Sequence, residues 1–511
     1  MSIELTGNNL TVDLLTKFKD PSAKITLSAD AIAQINRGRR VIDNICEKGI
    51  TVYGINTGFG SLCDKIIPQD QITDLQTNLI LSHCSGVGPF IPREIARMVF
   101  TLRINVLARG NSGISLSTLE SIIAIFNAGL IPCIPSQGSV GASGDLAPLS
   151  HMVNTFLGNG FMFTTSDSSP KESSERLKEA GITPIVLKAK EGLALINGTQ
   201  FIMAFGTEAF SRAETILKQL HLISSCTLEA LLATPKAFHA PAHLNRPHPG
   251  QIHCASKMRE TFGSTESKNL DINGNKEKVQ DAYSLRCIPQ VHGVAHDTLD
   301  FVKKHLEIEM NSSTDNPLVF WDEESPYYDP EIEGYFLSAG NFHGEYPAKM
   351  LDFLSIAIHE IGSISERRIE RMVNSSLSEG LPSFLIQNSG LCSGFMIVQY
   401  AAAAIVSENK HLASPASIDT IPTCENKEDH VSMGAWSARK SVNIVENVEK
   451  ILAMELYCAC QAIDLRGQAP NKFVAEIHSK VRKIVPFITA DVNHSENIEK
   501  IAKLLKEGGL L

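Results

Sequence analysis

The chain has no basic surplus. Its 46 Lys and Arg stand against 56 Asp and Glu, for a formal net charge of -10. A nucleic-acid surface needs clustered positive charge, so no nucleic-acid partner is expected. The sequence also has no apolar run of about 18 residues or more, so no membrane partner is expected. The opening stretch MSIELTGNNLTVDLL lacks a basic segment followed by an apolar one and is not read as a leader. None of the 11 cysteines forms a Cys-x-x-Cys pair. The odd set reads as free thiols in a reducing compartment, with the cytoplasm as the default. Aromatic residues make up only 6% of the chain, with two Trp. No repeat of about 20–50 residues is visible, which argues against a solenoid.

What is present is an ordinary globular composition, 43% hydrophobic and 20% charged over 511 residues, long enough for more than one structural unit. The apolar spacing is mostly helical. Ile95, Met98, Val99, Leu102 and Val106 recur on one face of Arg93–Arg109, and Gly110 follows where a C-terminal cap belongs. Asp297–Met310, Pro347–Met372 and Gly434–Leu465 repeat the pattern. Strand-like alternation is confined to Lys24–Leu27 and Gly334–Ser338. The class expected is all-α. A soft boundary near residue 195 separates a Gly-rich, loop-punctuated N-terminal part, residues 1–195, from a longer-helix part, residues 196–511. By composition, Thr164–Glu175 and Gly263–Asn275 read as polar loops.

The most unusual stretch is GSVGASGDLAPLSH, from Gly138 to His151. Three glycines three apart are entropically unfavourable to order. A tight turn before a helix would explain them, as would an anion-binding loop. The nucleophile elbow Gly-x-Ser-x-Gly is not met, because residue 145 is Asp, and no Gly-x-x-x-x-Gly-Lys-[Ser/Thr] occurs. A third reading is chemical. In a tightly bent backbone the Gly144 amide nitrogen can attack the Ala142 carbonyl. Loss of water closes a five-membered ring, and loss of the Ser143 hydroxyl as a second water leaves a conjugated methylidene. The product is an electrophile that no ordinary side chain supplies. A helix starting at Asp145 would aim amide donors at negative charge developing on the ring oxygen.

With its neighbouring motifs, this stretch resembles the aromatic amino acid ammonia-lyases, which make a methylidene-imidazolone from an internal Ala-Ser-Gly. The likeness runs from roughly Val52 to Met433. It implies that the group forms autocatalytically from Ala142, Ser143 and Gly144, with no external cofactor and no metal. YGINTGFG carries Tyr53, which the resemblance makes the base that takes the substrate β-proton. SHCSGVG carries His83, which would face the substrate ring; phenylalanine-directed relatives have apolar residues there. INGTQ carries Asn197, which would hold the reactive group and the substrate's amino-acid part, and NFHGE carries Phe342, a pocket wall. VQDAYSLRC carries Gln280, Tyr283 and Arg286, spaced three apart and so able to share one helical face. Arg286 suits bidentate recognition of a carboxylate. NKEDHVSMG carries Glu428, where the branch of the family acting on L-histidine has a Glu and other branches an amide. An apolar ring would leave that carboxylate unpaired, whereas an imidazole N–H or the substrate ammonium would pair with it. Two departures are Lys427, where Gln is usual, and Gly344, where Ala is commoner.

The resemblance therefore implies an all-α superhelical-bundle lyase, a homotetramer whose active sites are shared between subunits. It would convert L-histidine to trans-urocanate and ammonia, the first step of histidine degradation. A tyrosine-directed lyase or a 2,3-aminomutase would use the same electrophile. A non-catalytic scaffold would not need Ala142-Ser143-Gly144, Tyr53 and Arg286 all intact. FHAPAHLNRPHPGQIH holds four histidines, but its prolines break a regular ligand face, and His292 and His296 lack the Glu of a His-Glu-x-x-His site. His292 and His296 are expected in core or pocket walls.

Overall fold

In a computed structural model, the described residues are 1–62, 64–262 and 279–511. The polar segment Gly263–Asn275 therefore lies outside the described residues. Helices dominate. The longest are Gln200–Ala230, Ile288–Glu309, Glu345–Val373 and Gly434–Arg466. The last, at 33 residues, is about 50 Å long at 1.5 Å per residue. The three long apolar patterns in the sequence fall inside these helices to within one residue, and the class is all-α. Among the described residues no helix is long and apolar enough to cross a membrane.

Packing divides the chain into two compact units, each built from three segments. The first comprises Met1–Glu208, Lys303–Asp352 and Pro415–Arg439; the second comprises Ala209–Val302, Phe353–Ser414 and Lys440–Leu511. This division follows other lines than a single boundary near residue 195, because segments distant in sequence share each core.

The first unit is organised around the helix Arg93–Ala108. Its apolar spacing predicts one buried face, yet every residue from Ile95 to Ala108 is buried. The polar residues are inside because each has acceptors to donate to. Arg97 Nε donates to the Phe18 carbonyl at 2.9 Å, and its guanidinium lies 4.4 Å from the Phe126 ring centroid. Asn105 donates to the Met310 carbonyl at 2.9 Å. Periodicity does not report such burial, which depends on partners elsewhere in the chain. Phe100 stacks on Phe156 and meets Phe126 edge-on against this helix. Gly110 caps the helix end at φ +82° and donates to the Leu107 carbonyl.

Strands are few and short. Lys24–Leu27 pairs in parallel with Ser2–Leu5, and Tyr335–Leu337 pairs antiparallel with Leu318–Phe320. Thr164–Glu175, read as a loop, is more ordered than that. Lys171–Glu172 adds to the strand Phe161–Thr164, and a helix opens at Ser173. Arg176 ties the turn by donating to Asp167 at 2.8 Å and to the Ser169 carbonyl at 3.1 Å. A polar composition conceals an ion-paired turn of this kind.

The second unit buries an ion pair. Arg368 donates through two nitrogens to Glu455 at 2.6 and 2.8 Å, with both side chains fully buried. Thr227 and Ser365 donate to the same carboxylate at 2.6 Å. The remaining lone pairs are thus satisfied, which a buried charge requires.

Candidate active site

The loop Gly138–Asp145 bends at three glycines with positive φ: +136° at Gly138, +70° at Gly141 and +74° at Gly144. Two of them are also excluded from having a side chain. A Cβ on Gly144 would collide with the Gly198 carbonyl, and one on Gly141 with the Ser432 hydroxyl. The loop is therefore clamped on both sides. Asp145 N–H donates to the Gly198 carbonyl at 2.6 Å, and Gly198 N–H donates to the Ser143 carbonyl at 3.3 Å. Met433 N–H donates to the Val140 carbonyl at 2.8 Å. A helix, Leu146–Phe156, follows directly. Asp145 does not cap it with its side chain. Its carboxylate instead accepts from Ser139 Oγ at 3.0 Å and Ile202 N–H at 2.9 Å. Burial pushes this carboxyl up to about 7 against the pull of those donors and of Arg103.

The clamp on the Gly198 side depends on a buried arginine. Arg103 is fully buried and donates at 2.9 Å to the Ala194 and Asn197 carbonyls, and also to the Gln200 side chain. It thereby occupies the C-terminal end of the helix Glu191–Ile196, where the last carbonyls need donors. This fixes Asn197 and Gly198 against the Ala-Ser-Gly bend.

The bend opens on a cavity of about 620 Å³ within the first unit, lined by Tyr53, His83, Ser143, Asn197, Phe342 and Glu428 among others. Ser143 Oγ donates to Glu428 Oε1 at 2.9 Å, and Thr423 Oγ1 donates to Oε2 at 2.7 Å. Glu428 reaches Ser143 from a strained turn in which Cys424, Glu425 and Asn426 all have positive φ. Gly60 lets this turn close, since a Cβ there would collide with Cys424. Gly60 N–H also donates to the Tyr53 phenol at 3.3 Å. His83 is the last residue of the helix Ile72–His83, and its Nδ1 lies 2.8 Å from the Leu79 carbonyl. A carbonyl only accepts, so Nδ1 carries the proton and Nε2 keeps its lone pair. Burial lowers the His83 pKa, opposed by the Leu79 carbonyl and the Glu428 charge.

Ala142 is buried beside Ser143, and Gly144 sits behind it in the clamp. Six of the expected residues thus share one cavity, and two more complete the bend. Gln280, Tyr283 and Arg286 do not line it; they belong to the second unit. Tyr283 and Arg286 bound the short helix Tyr283–Arg286, but Gln280 lies in a bend before it. The shared helical face expected for all three is therefore not formed, because the helix starts only after Ala282. Arg286 instead stacks on the Tyr283 ring, 4.6 Å from its centroid. Sequence reasoning missed Arg103, Thr423 and the pair Lys190–Asp315 behind Asn197. Each works through contacts between residues far apart in the chain, and no local motif marks them.

Of the histidines outside this cavity, His239, His248 and His253 are exposed, while two others are buried with partners. His243 lies 3.0 Å from the Ala237 carbonyl and 3.1 Å from Gln251, and His292 is buried beside Arg368. Among the described residues no group of three or more His, Cys, Asp or Glu is placed to hold a metal ion.

The Ala-Ser-Gly bend opens, in an all-α fold, on a cavity that holds Tyr53, His83, Asn197 and Glu428, and comparisons with known proteins make the chain a carbon–nitrogen lyase. The aromatic amino acid lyase family model matches residues 10–483. A histidine ammonia-lyase from Bos taurus is 47% identical over 508 residues, covering 99% of this chain and 76% of the relative. The crystal structure of histidine ammonia-lyase from Trypanosoma cruzi superposes with a TM-score of 0.91 at 45% identity, covering 100% of this chain and 94% of that one. A tyrosine aminomutase from Streptomyces globisporus superposes with a TM-score of 0.92 at 35% identity, covering 100% and 98%. The chain belongs to the aromatic amino acid lyase family.

Proposed function

We propose that the chain eliminates ammonia from L-histidine to give trans-urocanate, the first step of histidine degradation. The observation that carries this reading is Glu428 within hydrogen-bond distance of Ser143 in the cavity that also holds His83. A carboxylate and an imidazole lone pair suit a substrate ring bearing an N–H; a phenyl ring would offer neither of them a donor. The names of the relatives from Bos taurus and Trypanosoma cruzi agree with this reading.

The bend fits a methylidene-imidazolone formed from Ala142, Ser143 and Gly144: the attacking residue has no side chain, Ala142 is small and buried, and both flanks are clamped. When formed, that group supplies an electrophile that makes the substrate amine a better leaving group. Tyr53 takes the β-proton, and the Gly60 N–H directed at its oxygen supports the ionised phenol that a base requires. His83 and Glu428 hold the imidazole, with Glu428 also within reach of the departing ammonium. Asn197 orients the amino-acid part, and Phe342 closes one wall.

Gln280, Tyr283 and Arg286 complete the site from another copy of the chain, in a homotetramer with shared active sites. Two features support this. The three residues are absent from the cavity lining, and Arg286 Nε is buried without a partner among the described residues. A guanidinium stacked on Tyr283 is ready to receive a carboxylate. The ten described cysteines are free thiols, which supports a cytoplasmic location.

Two measurements test the reading. The intact mass should be lighter than the sequence by two waters per chain, and urocanate absorbance should grow with L-histidine and not with L-tyrosine. A full-length mass combined with no urocanate would sink it. A β-amino acid product from tyrosine would favour the aminomutase alternative.

A further inference from the structure

Asn197 presents the cavity with a choice of two chemically opposite groups, an amide oxygen that accepts and an amide nitrogen that donates. Its surroundings make that choice. Asn197 Nδ2 donates to Asp315 Oδ1 at 3.1 Å and to the Asn316 carbonyl at 3.1 Å. Both partners only accept, so the nitrogen is committed to them. Asn197 Oδ1 is left buried without a partner among the described residues, in a residue that lines the cavity beside Ser143. Asp315 is itself fixed. Its Oδ1 accepts the Asn316 N–H at 2.7 Å, and its Oδ2 accepts from Lys190 Nζ at 2.8 Å. Lys190 and Asp315 are both fully buried. The Asn197 main chain is pinned separately by Arg103, so Asp315, together with the Asn316 carbonyl, acts on the side-chain amide alone.

We propose that Asp315, ion-paired with Lys190, is a positioning residue that holds the Asn197 amide with its oxygen toward the cavity, as an acceptor for an N–H of the bound amino acid. The inference rests on the ammonia-lyase reading for the identity of that donor. The hydrogen-bond donors of histidine are its ammonium and its ring N–H, and either satisfies Oδ1. An amide turned the other way would set two N–H donors against the substrate ammonium and its oxygen against two acceptors, Asp315 Oδ1 and the Asn316 carbonyl.

The test separates the acceptor from the charge by working in a neutral background. Asp315→Asn with Lys190→Met keeps an oxygen where Asn316 N–H and Asn197 Nδ2 need one. Asp315→Leu with Lys190→Met removes it at similar volume. The first double variant should keep kcat/KM for L-histidine within about threefold of wild type, and the second should lose about tenfold or more. In an Asn197→Ala background the two should be equal, because a positioning effect needs its target. A crystal structure of the Leu variant should show the Asn197 amide turned, with Oδ1 accepting the Asn316 N–H. Full dehydration by intact mass and a wild-type Tm establish that each variant is folded with its Ala-Ser-Gly loop processed. The proposal is overturned if the Leu and Asn variants are equally active, or if their difference survives in Asn197→Ala. Should the Leu variant fail to fold, the Asn variant decides alone: a tenfold loss at wild-type Tm would mean that the ion pair matters and the acceptor does not. A wild-type enzyme that made no urocanate would sink the substrate reading, while the crystallographic orientation of Asn197 would still decide this proposal.

Discussion

Ser143 Oγ donates a 2.9 Å hydrogen bond to Glu428 Oε1, across 285 residues of sequence. In the proposed reaction, the hydroxyl lost from the Ala-Ser-Gly bend thus rests on the carboxylate proposed to meet the substrate. Removing one partner does not disable the other. Ser143→Ala should leave the fold and the Glu428–Thr423 contact in place, keep the full-length mass, and lower kcat by at least ~10³-fold. A variant that kept wild-type activity with no loss of water would show that the electrophile does not come from this residue.

Glu428→Gln separates charge from shape. The Gln oxygen can still accept from Ser143, and the Thr423 hydroxyl can accept in place of donating. Tm should stay within about 2 °C of wild type, while kcat/KM for L-histidine drops by about 10²-fold or more. The variant also removes a charge that favours protonated His83, so the His83 pKa should fall further, which an NMR titration of its ring would read.

Gly198→Ala tests the clamp. The added Cβ would lie 2.5 Å from the Thr314 carbonyl and 2.8 Å from Arg103 Nη2, at φ +141°. The carbonyl contact is backbone and cannot move cheaply. A destabilisation of about 2–4 kcal/mol is expected, together with incomplete dehydration in the intact mass. Normal stability and a full two-water loss would show that the loop tolerates displacement.

Arg103→Met strands the Ala194 and Asn197 carbonyls and the Gln200 side chain. Burial lowers the Arg103 pKa to about 10, held up by Asp315 and Asp145, so the group is charged at neutral pH. Loss of a buried charge with three acceptors should destabilise by about 3–5 kcal/mol. Denaturant melts should record this as a lower midpoint with an unchanged slope.

Acid should destabilise the second unit through two partly buried histidines. His221 and His296 line a cavity of about 290 Å³. Burial lowers both pKa values from 6.5 to about 4, reinforced by Lys257 for His221 and by His253 for His296. Above pH 6.5 both the folded and unfolded forms are neutral, and the full stability is present. As pH falls from 6.5 toward 4, the unfolded chain binds protons that the folded chain refuses, so stability is lost across that window. Tm should fall between pH 7.5 and 5, and His296→Gln should flatten the slope. An unchanged slope in that variant would assign the acid sensitivity elsewhere.

Local pattern determined a good deal of this protein. Helical periodicity marks Glu345–Val373 and Gly434–Arg466 nearly end to end, because a 3.6-residue apolar repeat is a property of the segment itself. The glycines of Gly138–Gly144 mark the bend, because positive φ excludes most other residues. Tertiary structure decided what touches what. The burial of Arg103 and Arg97 on every side of their helix depends on carbonyls brought from elsewhere in the chain. The pairing of Glu428 with Ser143 depends on a strained turn that no composition reveals. The separation of Gln280, Tyr283 and Arg286 from the cavity depends on which unit each segment packs into. Residue types and spacing specify which chemistry is available. Hydrogen-bond partners distant in sequence specify which atoms face it, because an amide or a carboxylate takes its orientation from its neighbours and not from its own segment.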